Sequence, residues 1–92
     1  MAYCTVVELT FEDPSQREAF RSLVAGDQSS VEGRLVRVIG FDEHGAHAIE
    51  VWSAPEDARR HAERTAPRLD DVALPSPTRV LGFEVTSLDL AG

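Results

Sequence analysis

The chain has 92 residues, of which sixteen are acidic and nine basic, and its formal net charge is −7. This length allows one small domain over residues 1–92, with a thin margin of buried core. Every basic residue is arginine and no stretch is strongly basic, which argues against a nucleic-acid partner and against an anionic membrane surface. No transmembrane stretch and no secretory signal is visible, so we expect a cytoplasmic protein.

The first part of the chain predicts a strand followed by a helix. Residues 3–11 are β-branched and aromatic, with apolar side chains at alternating positions, which indicates a strand. Asp13, Pro14 and Gln16 then form a helix start, with a capping residue, a proline at the first helical position and a glutamine at the third. Gly26 is placed to end this helix, and a polar loop is expected over 27–33.

The rest of the chain predicts a hairpin, a second helix and a last strand. Residues 34–41 and 46–52 form two strands, and the acidic turn between them makes an antiparallel hairpin. A second helix begins after Ser53, and Pro67 is expected to break or restart it because proline lacks a backbone N–H. A rigid connector then leads to a fourth strand over 78–88.

The order β-α-β-β-α-β predicts an α+β fold of the ferredoxin-like type. Its four-stranded antiparallel sheet has the spatial order 4-1-3-2, and both helices cover one face. The strands are apolar on nearly both sides, so the second face cannot be left in water. We therefore predict that the sheet pairs face to face with the sheet of a second copy, as a homodimer.

The stretch EVWSAPEDARRH, over residues 50–61, resembles the dimeric α+β-barrel superfamily, and in particular the antibiotic-biosynthesis-monooxygenase-like proteins. In those proteins the third strand typically ends in Glu-x-Trp, and a histidine follows the tryptophan by about nine residues. The resemblance implies a dimeric barrel of two sheets. It also implies a small enzyme without a bound cofactor, which acts on a hydrophobic, polyketide-like intermediate of secondary metabolism by oxidation or by a proton transfer such as cyclisation or isomerisation.

The resemblance carries over to Trp52 and His61, because in relatives the corresponding side chains look into a ligand pocket. Those relatives also place an asparagine on the first strand, whereas this chain contains no asparagine. Acid/base chemistry, such as cyclisation or isomerisation, therefore fits the residues better than oxygen activation. In that scheme His61 moves the proton, Glu50 acts as general base or orients the imidazole, and Trp52 stacks on the substrate.

Each of these side chains also has a structural interpretation. His61 lies on the apolar face of the second helix, where it serves either as a pocket acid/base or as a core histidine satisfied by one hydrogen bond. Trp52 contacts a ligand or fills the core or dimer seam. Tyr3 donates a hydrogen bond to a substrate or packs at a strand end.

Three glutamates interrupt otherwise apolar strands: Glu8, Glu50 and Glu84. Because strands one, three and four are neighbours in the predicted sheet, we expect these carboxylates in one row, with Arg37 as counter-ion. The row lines a polar cavity that binds substrate, or it forms a network at the dimer seam. Both alternatives predict that Glu50 is less exposed than an ordinary surface glutamate.

The remaining candidates for chemistry are weaker. His44 and His47 have a spacing that suits a metal, but we expect exposed turn histidines and no bound metal or cofactor. Cys4 is expected to be a small buried hydrophobe. A non-catalytic dimeric module, which binds a small molecule or assists a larger enzyme, remains the alternative function.

Overall fold

The computed structural model describes residues 1–26, 31–71 and 74–89. Its elements follow the predicted order: β1 (Tyr3–Thr10), α1 (Pro14–Gly26), β2 (Arg34–Phe41), β3 (Gly45–Trp52), α2 (Pro55–Asp71) and β4 (Arg79–Glu84). The last strand is shorter than predicted, and the predicted loop over 27–33 lies partly outside the described residues. Within the described ranges, neither helix is long and apolar enough to cross a membrane.

The four strands form one antiparallel sheet in the order β2-β3-β1-β4. This arrangement confirms the predicted ferredoxin-like α+β fold and its strand order. β1 and β3 occupy the centre of the sheet, and β2 and β4 are its edges. Trp52, the last residue of β3, therefore has Tyr3 of β1 and Arg34 of β2 as its neighbours across the sheet.

The helices cover the face of the sheet that carries Leu9 and Ala46. These two side chains are buried together with Phe20 of α1 and form the core cluster. The burial follows from the alternation of the strands, which sends every second side chain toward the helices. At the other end of the same face, Trp52 is only 1% exposed.

The start of α1 agrees with its predicted capping residue. Asp13 Oδ1 accepts hydrogen bonds from the backbone N–H groups of Ser15, at 2.9 Å, and of Gln16, at 3.2 Å. The hydroxyl of Ser15 also donates to Asp13 Oδ1. This bond first, and then the backbone bonds, lower the pKa of Asp13 below its ordinary value. The Gln16 side chain accepts in turn from the N–H of Glu12 at 2.6 Å. Helix α1 therefore has a fixed start, which holds Phe20 over the sheet.

Helix α2 does not break at Pro67, contrary to the prediction. It continues through the proline to Asp71. The missing N–H removes the hydrogen bond to the carbonyl of Glu63, one turn earlier, and both residues are exposed to solvent. Water can therefore satisfy that carbonyl, so the cost of the proline does not end the helix.

The face of the sheet turned away from the helices, here called the outer face, is largely apolar. The strand registers place on it Cys4, Val6, Glu8, Val36, Val38, His47, Ile49, Val51, Arg79, Leu81 and Phe83. Val38 and Phe83 remain 52% and 50% exposed, and Ile49 and Leu81 are exposed as well. An apolar surface of this kind is what the sequence predicts for a face that a partner covers.

The predicted row of three glutamates does not form. Glu8 lies on the outer face, opposite His47, whereas Glu50 and Glu84 lie on the helix-covered face, opposite Thr5 and Tyr3. The strands differ in which face of the sheet carries their more apolar side chains. On β1 the more apolar side chains face the helices, whereas on β3 and β4 they face outward. Glutamates on the less apolar face of each strand therefore fall on different sides of the sheet.

Candidate functional site

A cavity of about 470 Å³ lies between the helices and the sheet. Small side chains on facing elements leave this space open, among them Ala48 of β3 and Ala62 of α2. The wall is mainly apolar, and its polar members among the described residues are Thr5, Arg34, Arg37, Glu50, Trp52, His61, Thr65 and Arg68. Ligand sites commonly combine such an apolar wall with a few convergent polar groups.

Trp52 and His61 meet in the wall of this cavity. Their ring centroids are 5.1 Å apart and their planes are inclined at 41°. The indole Nε1–H donates to the hydroxyl of Thr5 at 3.2 Å, which fixes the orientation of the ring. A half-buried imidazole thus packs against an indole that is itself almost fully buried at the edge of the cavity.

An ion pair between Arg34 and Glu50 forms the most polar part of the wall. Arg34 Nη1 donates to Glu50 Oε2 at 3.0 Å, and the two side chains are only 9% and 15% exposed. The low exposure of Glu50 confirms the prediction made from the sequence. A buried carboxylate needs such a partner, because removing an unpaired charge from water is costly.

A β-bulge brings Arg34 to this position. Arg34 is opposite Trp52 in the register, but Val36 is opposite Val51, so Leu35 is an extra residue on β2. Strict alternation from Arg37 would place Arg34 on the outer face, and the bulge turns it toward the cavity instead. Nothing in the local sequence signals this bulge, and Arg34 was therefore not among the predicted site residues.

Arg37 is opposite Glu50 in the register and lines the cavity. Its strand position thus brings it to the face of Glu50, as predicted. The ion pair to Glu50 comes from Arg34, however, because the bulge places that guanidinium against the carboxylate.

Tyr3 faces a different space. It lines a more open cleft of about 500 Å³ beside the N-terminal half of α2, next to the main cavity. Its hydroxyl lies over Gly82 of β4, where a Cβ would come within 2.1 Å of the hydroxyl oxygen. Gly82 therefore makes room for the ring of Tyr3, and the hydroxyl points to the sheet edge rather than to the cavity.

Glu8 and Glu84 are outside the main cavity as well. Glu84 is exposed at the end of β4. Glu8 lies on the outer face, 3.6 Å from Nδ1 of His47, and Nε2 of the same imidazole contacts the carboxylate of Asp42. The prediction that these two glutamates bind substrate is therefore not supported by their position, because Glu8 lies on the opposite face of the sheet and Glu84 lies at the exposed end of β4, outside the cavity wall.

His47 is held by acids and His44 is exposed at the turn. The hydrogen bond that the imidazole of His47 donates to the carboxylate of Asp42, and then the charges of Asp42 and Glu8, raise the pKa of His47 above its ordinary value. The same contact lowers the pKa of Asp42, which also accepts from the backbone N–H groups of His44 and Gly45. In residues 1–26, 31–71 and 74–89, no group of three or more His, Cys, Asp or Glu side chains could hold a metal ion.

Cys4 is buried on the outer face, and burial raises the pKa of its thiol. This confirms the prediction of a small buried hydrophobe. A thiol with a raised pKa is a poor nucleophile at neutral pH.

Comparison with known proteins supports the fold. No protein-family model matches the sequence, and no curated protein matches it either. A solved structure from Chloroflexus aurantiacus, named as a candidate antibiotic biosynthesis monooxygenase, is similar over all of both chains, with 20% identity and a TM-score of 0.74.

Two further solved structures come from Streptomyces. SnoaB of Streptomyces nogalater, a cofactor-independent oxygenase, has 15% identity over 95% of this chain and 94% of its own, with a TM-score of 0.66. The ActVA-Orf6 monooxygenase of Streptomyces coelicolor, solved with nanaomycin D, has 14% identity over 99% of this chain and 92% of its own, with a TM-score of 0.66. The resemblance to antibiotic-biosynthesis-monooxygenase-like proteins is thus confirmed at the level of fold.

Proposed function

We propose, from a fold shared with antibiotic-biosynthesis-monooxygenase-like proteins, that this chain is a small enzyme acting on a hydrophobic, polyketide-like molecule. The observation that carries the proposal is the contact between His61 and Trp52 in the wall of an apolar cavity. The indole supports the imidazole of His61, which lines the cavity and reaches the ionisable protons of a bound substrate.

The reaction that fits these residues best is a proton transfer next to a carbonyl. The His61 imidazole takes a proton from a carbon beside the carbonyl, and the electron pair of that C–H bond forms the enolate. Where a carbon–carbon double bond is conjugated with the enolate, the imidazolium then returns the proton to the γ-carbon of this dienolate, and the substrate isomerises as the double bond moves. Alternatively, the enolate carbon attacks a second carbonyl of the same molecule, and the resulting alkoxide receives the proton as the ring closes.

Glu50 has a supporting position in this scheme. Its carboxylate is held by Arg34 at 3.0 Å and lines the same cavity as the imidazole. We therefore assign it to orienting the substrate or the imidazole. Because Glu50 is occupied by an arginine, a non-catalytic module that binds the same class of molecule remains the second candidate function.

Anthrone tests the proton transfer, because it is a planar tricyclic ketone whose acidic methylene group is conjugated with the carbonyl through the two flanking rings and ionises to an enolate. In deuterated buffer without oxygen, NMR follows the replacement of the methylene protons by deuterium. We expect the protein to accelerate this exchange, and His61→Gln to slow it by about 100-fold. His44→Gln, which removes an exposed turn histidine, is the matched control and should leave the rate unchanged.

The same probe separates the alternatives. In air, oxygenase activity would convert anthrone and O₂ into anthraquinone and water, which is read from absorbance. Binding of anthrone without exchange or oxidation would favour the non-catalytic module. Equal exchange rates with wild type, His61→Gln and buffer alone would contradict the assignment of His61.

We further propose that two copies pair through their outer faces. Support comes from the row of apolar side chains that crosses the sheet, in which Val38, Ile49, Val6 and Leu81 are neighbours. Light scattering should give twice the mass of one chain. Val38→Arg should yield a folded monomer, because that side chain is already half exposed, whereas Ala25→Arg on α1 should leave the dimer intact. A monomeric wild type at micromolar concentration would contradict the pairing.

A further inference from the structure

We propose that the ligand of the cavity is an amphipathic anion: a planar apolar molecule that presents a carboxylate, phenolate or enolate oxygen to the guanidinium of Arg34. The inference rests on the proposed function, since it takes the cavity as the ligand site. It adds the chemical class of the ligand and a residue that recognises it.

The first observation is the bulge that aims Arg34 inward. The extra residue, Leu35, interrupts the ladder between β2 and β3, and it is 53% exposed. The fold thus loses regular pairing and leaves a leucine in water. In return it places a charged side chain in an apolar wall, and bulges that re-aim a side chain are frequent beside functional sites.

The second observation is the set of donors that Arg34 retains. A guanidinium has five N–H donors, and Nη1 gives one hydrogen bond to Glu50. Among the described residues, no other group accepts a hydrogen bond from this side chain, and no nitrogen is sealed away without a partner. The side chain is nine-tenths buried and lines the cavity. Its remaining N–H groups are therefore available to a bound ligand.

The third observation is the charge of the wall. The chain is acidic overall, with a formal net charge of −7. Among the described lining residues, however, three are arginines and one is an acid: Arg34, Arg37 and Arg68 against Glu50. An arginine guanidinium matches a planar pair of oxygens, so Arg34 in this wall suits the acidic oxygen of a ligand.

The rest of the wall excludes a small inorganic anion as the main ligand. Val7, Ile39 and Ala48 are neighbours on the helix-covered face and form an apolar floor. A ligand that fills 470 Å³ over this floor must bury a large apolar body. The acidic oxygen at Arg34 then lies near His61, since Arg34 is opposite Trp52 and the imidazole packs on that indole.

A matched pair of probes tests the proposal. 2-Hydroxy-1,4-naphthoquinone is an anion at neutral pH, and 2-methoxy-1,4-naphthoquinone has the same rings without the charge. Trp52 is the only tryptophan of the chain and lines the cavity, so quenching of its fluorescence reports occupancy. We expect the anion to bind at least about tenfold more tightly than the neutral probe, the value of one strong charge-assisted hydrogen bond.

The variant Arg34→Gln/Glu50→Gln replaces the ion pair with two neutral side chains and avoids leaving a lone buried charge. We expect it to bind both probes within about twofold of each other, with unchanged affinity for the neutral one. Arg64→Gln removes an exposed positive charge of α2 outside the cavity and should keep the preference. A thermal melt of each variant checks that it is folded.

The outcomes separate this inference from the proposed function. Equal affinity of wild type for the two probes overturns the anion while leaving the cavity as a ligand site. A preference that survives in Arg34→Gln/Glu50→Gln overturns the role of Arg34. Absence of quenching by either probe contradicts the ligand site itself, and with it both proposals.

Discussion

The imidazole of His61 packs against the indole of Trp52, with 5.1 Å between the ring centroids. His61 lies in the first half of α2, and Trp52 is the last residue of β3. The contact between the two rings therefore depends on the path of the chain from the end of β3 to the start of α2. Its consequence is that an almost fully buried indole supports an imidazole in the cavity wall.

Removal of the His61 side chain should be repairable by a small molecule. His61→Ala leaves a space beside Trp52 that an added imidazole can enter. We expect the exchange of anthrone to be lost in this variant and restored in proportion to the imidazole concentration. A purely structural histidine would show no such rescue, and the free energy of unfolding, measured with urea, shows whether the variant remains folded.

The hydrogen bond from Trp52 to Thr5 should be worth a measurable part of the stability. Thr5→Val keeps the shape of the side chain but leaves the indole N–H without its acceptor, which costs about 1.5 kcal/mol. In a Trp52→Phe background the same change should cost almost nothing, because no donor remains. Thr10→Val, at an exposed position of β1, is the control. An equal cost in both backgrounds would argue against the bond.

Filling the cavity should stabilise the protein and abolish ligand binding. Ala48 lies between Val7 and Ile39 on the cavity face. Ala48→Leu adds apolar surface to an open space, and we expect a gain of about 1 kcal/mol in the free energy of unfolding. Binding of 2-methoxy-1,4-naphthoquinone should fall by at least about tenfold, whereas Ala25→Leu on α1 should not affect it. A loss of stability would mean that the space is already filled.

The buried ion pair should behave as a unit. Glu50→Gln weakens the charge-assisted contact with Arg34 and should cost about 2 kcal/mol. Arg34→Met/Glu50→Leu removes both charges and should be within about 1 kcal/mol of wild type, because the desolvation of the pair is removed with its attraction. Urea unfolding of both variants measures the difference. Additive losses would show that the two side chains act independently.

The contact between His47 and Asp42 should make stability depend on pH. The folded-state pKa of His47 is raised, so its stabilisation is complete below the unfolded pKa of about 6.5 and is lost as the pH rises through the folded pKa. The pKa of Asp42 is lowered in the folded state, so its ionised carboxylate stabilises the fold. This stabilisation is lost only when the pH falls below the ordinary pKa of an aspartate. The pair therefore stabilises the folded state most at pH values between the ordinary pKa of an aspartate and the ordinary pKa of a histidine.

The measurement compares wild type with Asp42→Asn. The difference in the free energy of unfolding should be largest between pH 5 and 6 and should shrink toward pH 9. Because the pair is exposed and lies near Glu8 and Arg79, added salt should reduce the difference. A constant difference across this range would contradict the interaction.

Local patterns in the sequence were sufficient for the elements of the fold and for part of the site. The alternation of β1, the capping residue Asp13 and the hairpin turn depend on neighbours along the chain, and short-range preferences act the same way in any fold. The spacing from Trp52 to His61 likewise joins one strand end to one helix face. Together these features led to the ferredoxin-like order and to Trp52 and His61 in the cavity wall, while the charged residues within the strands led to Glu50 and Arg37 in the same wall.

Only the tertiary structure decided the rest. Which face of β3 and β4 turns toward the helices depends on pairing across the sheet, and this separated Glu8 from Glu50. The bulge at Leu35 arises from the match between β2 and β3, and it brought Arg34 rather than Arg37 into the ion pair with Glu50. Side-chain alternation reverses with a one-residue shift, so no single strand carries this information. The acidic chain defined by its composition thus encloses a cavity whose charged wall is mostly arginine among the described residues.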